Sequence, residues 1–96
     1  MTSRYHGSVY VVERNGLYKI GFSRGQEVRR ARDARGRLLF TIPAGNQPSV
    51  LERIIQLRFA IRRINNHPRC EWFALRPDDV EWLRGLAAYL TSLTTP

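Results

Sequence analysis

The sequence predicts an α+β domain: a small, mostly antiparallel three-stranded sheet flanked by helices. Three observations predict it. Two runs rich in β-branched and aromatic residues, 9–13 and 17–22, flank Asn15-Gly16, and that pair suits the positive φ angles of a type I′ hairpin turn. Two later stretches carry apolar residues three and four apart, the spacing of a buried helix face. Strands and helices follow one another without repeat or linker, in the order strand, strand, helix, strand, helix, short strand, helix.

Each element has its own signal. Residues 9–13 and 17–22 are the hairpin strands, and Ser23-Arg24-Gly25 breaks the second. Residues 26–35 form a helix with one narrow apolar stripe, Val28, Ala31 and Ala34. The rest of it is Arg29, Arg30, Arg32 and Arg35, and Gly36 ends it. Residues 38–42 are the third strand, closed by Pro43. Ser49 with Glu52 three residues on has capping-box spacing, so the next helix is expected from Ser49 to about Ile64. Its apolar face reads Val50, Ile54, Leu57, Ile61 and Ile64, widened by Leu51 and Ile55. After Asn65-Asn66-His67-Pro68, residues 71–75 suit a short edge strand. Pro77, with Asp78 and Asp79, opens a last helix over about 77–93. Its buried stripe is Val80, Leu83, Leu86 (or Ala87), Leu90 and Leu93.

A chain of 96 residues fits one domain, here residues 1–96. Apolar residues make up 43 %, too many for a disordered chain. No apolar run reaches the roughly 20 residues of a membrane span, and no signal-peptide core follows Met1. A protein without membrane contact is expected, cytoplasmic in a bacterial or phage-infected cell. Cys70 is the only cysteine, which excludes an internal disulfide.

Charge narrows the function classes. Sixteen basic residues face eight acidic ones, a formal net charge of +8. Such an excess favours polyanions, nucleic acid above all. His67 and Cys70 have ligand-like spacing, but His6 is the only other histidine and no second pair completes a zinc site. Nothing beyond that pair points to thiol chemistry. Neither a P-loop nor a dinucleotide fingerprint is present.

Phosphodiester cleavage is the chemistry the remaining residues suit. It needs an oriented water, positive charge on the developing phosphorane, and a carboxylate to hold a divalent cation. Tyrosines, Lys19, an arginine helix and Glu52 are available, and Glu52 is the one acid in a basic helix.

Val9-Tyr10, then Tyr18-Lys19-Ile20-Gly21, then the arginine helix, then Leu51-Glu52, then Glu71-Trp72-Phe73 resemble the GIY-YIG nuclease superfamily. The likeness is greatest to its small YKIG…EWF branch, the phage DNA-binding domain or meiotically upregulated protein type, and spans about residues 8–75. It implies an endonuclease that hydrolyses nucleic-acid phosphodiester bonds, with double-stranded DNA as the expected substrate and one Mg2+ or Mn2+ ion. The matching positions are Tyr10 for water activation, Tyr18 for support of the site or phosphate contact, Arg30 for the scissile phosphate (Arg29 as the alternative), and Glu52 for the metal. Lys19, Arg29, Gln56 and Asn65 (or Asn66) are candidates for support, although strand alternation sends Lys19 to the opposite sheet face from Tyr18. Arg24, Arg29, Arg32 and Arg35 are candidates for nucleic-acid contact.

Two departures stand out. Ser8-Val9-Tyr10 replaces Gly-Ile-Tyr, and Gln56 stands where many branch members carry histidine. Glutamine cannot shuttle a proton near neutral pH. A non-catalytic DNA-binding module on the same fold is therefore the first alternative. A small assembly or inhibitor protein docking through Leu86, Leu90 and Leu93 is the second. With little room for a separate reading domain, specificity is expected to come from a homodimer or a partner protein, or to be weak.

Overall fold

The computed structural model describes residues 6–94. Four strands form one antiparallel sheet in the order β3-β1-β2-β4. They are β1 (Gly7–Arg14), β2 (Leu17–Ser23), β3 (Arg37–Gly45) and β4 (Trp72–Phe73). The helices are α1 (Glu27–Asp33), α2 (Pro48–Arg58) and α3 (Pro77–Thr94), with a 3-10 turn at Ala60–Arg62. The α+β class is as expected. The sheet has one strand more than the three expected, because the short segment at Trp72 is a full member of it.

Asn15 and Gly16 both have positive φ, 53° and 80°, so the hairpin closes through the expected I′ turn. β1 is central, and Val9, Tyr10, Val11 and Val12 are all buried. A strand covered on both faces reads as an unbroken apolar run, as this one does. One face packs Val9, Val11, Ile20 and Ile42 against Ile55 and Phe59 of the α2 segment and Leu83 of α3. The other packs Tyr10 and Val12 against Ala31 of α1.

Four local expectations change. β3 runs through Pro43 to Gly45. It is an edge strand, with register shifts against β1, so a residue without an N–H is tolerated there. α1 is shorter than expected and stops at Asp33, and Arg35 takes the left-handed conformation at φ 55°. α2 starts at Pro48, whose fixed φ suits the first helical turn, and Ser49 makes no capping box with Glu52. It also ends at Arg58, well short of Ile64. The backbone of residues 62–64 is recruited to β4 instead: Arg63 bridges Phe73, Ile64 N–H donates to the Trp72 carbonyl and Ala74 N–H to the Arg62 carbonyl.

The buried face of α2 is also reversed. Ile55, Gln56 and Pro48 face the core, while Val50, Ile54 and Leu57 face outward. In α3, Leu83 is buried and Leu86 and Leu90 pack against the core, leaving Leu93 exposed. That removes most of the leucine surface on which docking through the last helix depended. No helix among the described residues is long and apolar enough to cross a membrane.

Candidate functional site at the open edge of β2

The site arises because β4 is too short to cover β2. Only Tyr18 and Lys19 find ladder partners there, Phe73 and Trp72. The remaining polar groups on that edge of β2 must be satisfied otherwise, since buried backbone groups are rarely left unpaired. Ile20 N–H donates to the Glu71 carbonyl at 2.9 Å. The Ile20 carbonyl accepts from Gln56 Nε2 at 2.9 Å. Phe22 N–H donates to the Glu52 carboxylate. Residues distant in sequence are thus drawn to one edge by the needs of the backbone.

Side chains converge at the same edge. Lys19 Nζ lies 3.7 Å from Glu71 Oε1 and 5.8 Å from the centroid of the Tyr10 ring. Tyr10 in turn lies across Gly21, where an added Cβ would collide with its Cζ and hydroxyl. Burial first, and then the charge of Glu71, raise the Glu52 carboxyl to about 7 against the downward pull of Lys19, Arg53 and the Phe22 N–H. Two carboxylates therefore share a partly desolvated edge with one lysine, an arrangement with room for another positive charge.

Cross-strand register decides which tyrosine belongs. Tyr10 pairs with Gly21, and Val12 with Lys19. Partners directly opposite share a face, so Tyr10 and Lys19 are together. Tyr18 opposes Glu13 and Phe73, and packs in the core on the α2 and α3 side. Tyr18, matched to support of the site or phosphate contact, thus lies on the opposite sheet face from Tyr10, and Lys19, placed as a supporting residue, takes the position beside Tyr10. Strand alternation already contained this, because Lys19 and Gly21 are two apart.

The other candidates separate into groups. α1 covers the Tyr10 face, with Ala31 against the sheet and Arg29, Arg30 and Arg32 exposed. Arg30 is next to the buried stripe, and Arg29 projects away from it, by the 100° helical step. Arg24 Nη2 donates to the Asn46 carbonyl at 3.3 Å, at the far end of β2. Gln56 is 4 % exposed and its Nε2 donates to the Ile20 carbonyl, so it braces β2. Asn65 accepts from His67 N–H at 2.8 Å and lines an open cleft of about 420 Å³ with Lys19, Glu71 and Trp72. Asn66 is exposed in the same loop.

Glu71 is the residue whose place at the site was missed. It enters the sequence reading only as the first letter of Glu71-Trp72-Phe73. Its position follows from strand pairing, since a residue just before an antiparallel edge strand faces the partner strand's next N–H. Among the described residues no group of three or more His, Cys, Asp and Glu forms a ready metal cage. A magnesium ion needs no such cage, as one or two carboxylates with waters and substrate phosphate suffice. Glu52 and Glu71 fit that donor set.

In comparison with known protein families, residues 7–86 match the T5orf172 domain. No curated protein and no solved structure matches the chain.

Proposed function

This chain belongs to the T5orf172 domain family, and we propose that it is a divalent-metal-dependent endonuclease of GIY-YIG type acting on DNA. The observation that carries this reading is the meeting of Tyr10, Lys19, Glu52 and Glu71 at the uncovered edge of β2. In the motif that gives the superfamily its name, the second tyrosine stands two residues before the glycine. That position here is Lys19, which shares a sheet face with Tyr10.

The roles follow from chemistry and placement. Glu52, with Glu71 beside it, would hold one Mg2+ or Mn2+ ion. The bound ion would supply charge against the phosphate oxygens and a more acidic water. Lys19 Nζ sets positive charge where the phosphorane develops. The Tyr10 hydroxyl orients the attacking water. Because Tyr10 is buried beneath Lys19, the lysine stem must swing aside as the phosphate enters. Arg30 on α1 supports the phosphate on the Tyr10 face, and Arg29, Arg32 and Arg35 contact the flanking backbone. Water oxygen bonds to phosphorus, the bond to one sugar oxygen breaks, and that oxygen takes up a proton.

Gln56 favours a second reading, a DNA-binding module without catalysis. It is sealed against Ile20 and cannot relay a proton from where histidine stands in many branch members. Nicking of supercoiled plasmid with and without Mg2+, comparing wild type with Glu52→Ala, separates the two. Metal-dependent nicking lost in Glu52→Ala supports the nuclease. Salt-sensitive DNA binding with no nicking in either protein supports the binding module.

A further inference from the structure

The open cleft of about 420 Å³ shares Lys19 and Glu71 with the site, while Tyr10 and Glu52 lie outside it. Its other wall is the loop that leads into β4. That loop uses its hydrogen-bond acceptors on itself. Asn65 Oδ1 accepts from His67 N–H at 2.8 Å, and His67 Nδ1 accepts from Arg69 N–H at 3.1 Å. The His67 carbonyl accepts from Cys70 N–H at 3.0 Å, and the Cys70 carbonyl from Arg63 Nε at 3.3 Å.

What the lining side chains have left to offer is mostly donors. An imidazole whose Nδ1 accepts carries its proton on Nε2, so His67 keeps one N–H for a ligand. Asn65, with its oxygen engaged, keeps its amide hydrogens. Arg69 is exposed, and among the described residues no carboxylate pairs with its guanidinium. Lys19 adds an ammonium. Glu71 is the one carboxylate of the lining, and Lys19 already stands 3.7 Å from it. Trp72 supplies an apolar wall, steadied by the Arg14 guanidinium 4.5 Å from its ring centroid.

We propose that this cleft is a nucleotide subsite adjoining the site at the edge of β2. It takes one nucleotide of a strand, the phosphate on Lys19, His67 and Arg69, and the sugar and base along Trp72. A phosphate oxygen only accepts, and charge-assisted donors such as lysine and arginine hold it best. The volume lies in the range of pockets that hold one small molecule, well beyond the needs of a bare phosphate. The place of this nucleotide beside the scissile bond rests on the phosphodiester reading; the binding does not.

Amide NMR of the full chain without metal tests it, with three probes: the DNA dinucleotide TpT, thymidine and inorganic phosphate. TpT is expected to move the Arg69 and Cys70 amides and the Trp72 indole N–H. It should bind at least about tenfold more tightly than either other probe. Arg69→Ala and His67→Asn are each expected to weaken TpT at least about threefold, with the amides of α2 and α3 unmoved. Asparagine keeps an acceptor for the Arg69 N–H but lacks the reach of Nε2. Phosphate that binds as well as TpT would mark an anion site alone and overturn the proposal. So would thymidine that binds as well as TpT, shifts that avoid the 65–72 loop, or TpT binding unchanged in both variants. In plasmid nicking, Arg69→Ala is expected to raise KM more than it lowers kcat, and the reverse would also overturn the subsite. A wild type that never nicks counts against the phosphodiester reading, and the TpT titration still decides the subsite.

Discussion

The Lys19 ammonium stands 5.8 Å from the centroid of the Tyr10 ring, on the sheet face that Tyr18 does not share. If Lys19 supplies charge to the phosphorane, Lys19→Met lowers plasmid nicking by about 10- to 100-fold. Tyr18→Phe keeps the ring in the core and stays within about threefold of wild type. The two rates, measured under one metal concentration, assign the position. Nicking by Lys19→Met together with loss in Tyr18→Phe would return the role to Tyr18.

Glu52 links the site to stability. Its carboxyl is raised from the usual 4.5 to about 7, first by burial and then by Glu71. The folded chain therefore favours the protonated form. The resulting destabilisation is absent below about pH 4.5, grows between there and about 7, and is complete above. After allowance for solvent screening at a half-buried group it amounts to about 1–2 kcal/mol. Glu52→Gln is expected to melt several degrees above wild type at about pH 8 and together with it at about pH 4.5. Mg2+ should raise the wild-type melting temperature at the higher pH and leave Glu52→Gln unmoved. Equal melting of both proteins at about pH 8 would remove the argument for a desolvated carboxylate.

How far the site could be read from sequence depends on which forces set each position. The hairpin was legible because Asn15-Gly16 and the β-branched runs act locally. The face of α2 was not, because two apolar stripes one residue apart compete, and the longer one through Ile61 and Ile64 wins on periodicity alone. The shorter one wins in the fold because Phe59 extends it, and Phe59 packs edge-on to Trp82 at 5.7 Å between centroids. Pro48 also seats the helix start beside Gly7, where an added Cβ would collide with its ring. The reversal sends Glu52 and Gln56 toward β2. Glu71 was hidden for another reason: its place depends on the register of a two-residue strand, which no local pattern encodes.

Gln56 is the clearest case of a residue whose role changes once the edge of β2 is seen. Its amide holds the Ile20 carbonyl at 2.9 Å in a buried place. Gln56→Leu leaves that carbonyl unpaired and is expected to cost about 1–3 kcal/mol in urea unfolding. The pH profile of nicking should keep its wild-type midpoints, since no titrating group is lost. A shifted profile with unchanged stability would show that Gln56 acts in the chemistry.

Gly21 gives a coupling test of the Tyr10 position. A Cβ at residue 21 would collide with the Tyr10 ring and hydroxyl. Gly21→Ala is expected to cost about 1–3 kcal/mol and to lower nicking with it. In a Tyr10→Leu background the added methyl meets a shorter side chain, so the same substitution should cost at least about 1 kcal/mol less. Additive costs would mean that the ring does not rest on Gly21.

Arg30 and Arg29 are adjacent in α1 and differ by about 100° around the helix. Both are exposed, and only Arg30 borders the Ala31 stripe that packs on the Tyr10 face. Arg29→Ala and Arg32→Ala are expected to weaken DNA binding modestly and to reduce the salt slope by about one each. Arg30→Ala is expected to do the same to binding and also to lower the nicking rate at saturating DNA by about tenfold or more. Fluorescence anisotropy over a salt series, run beside single-turnover nicking, reads both quantities. If Arg29→Ala shows the loss of rate and Arg30→Ala shows only the loss of affinity, the phosphate-facing arginine is Arg29.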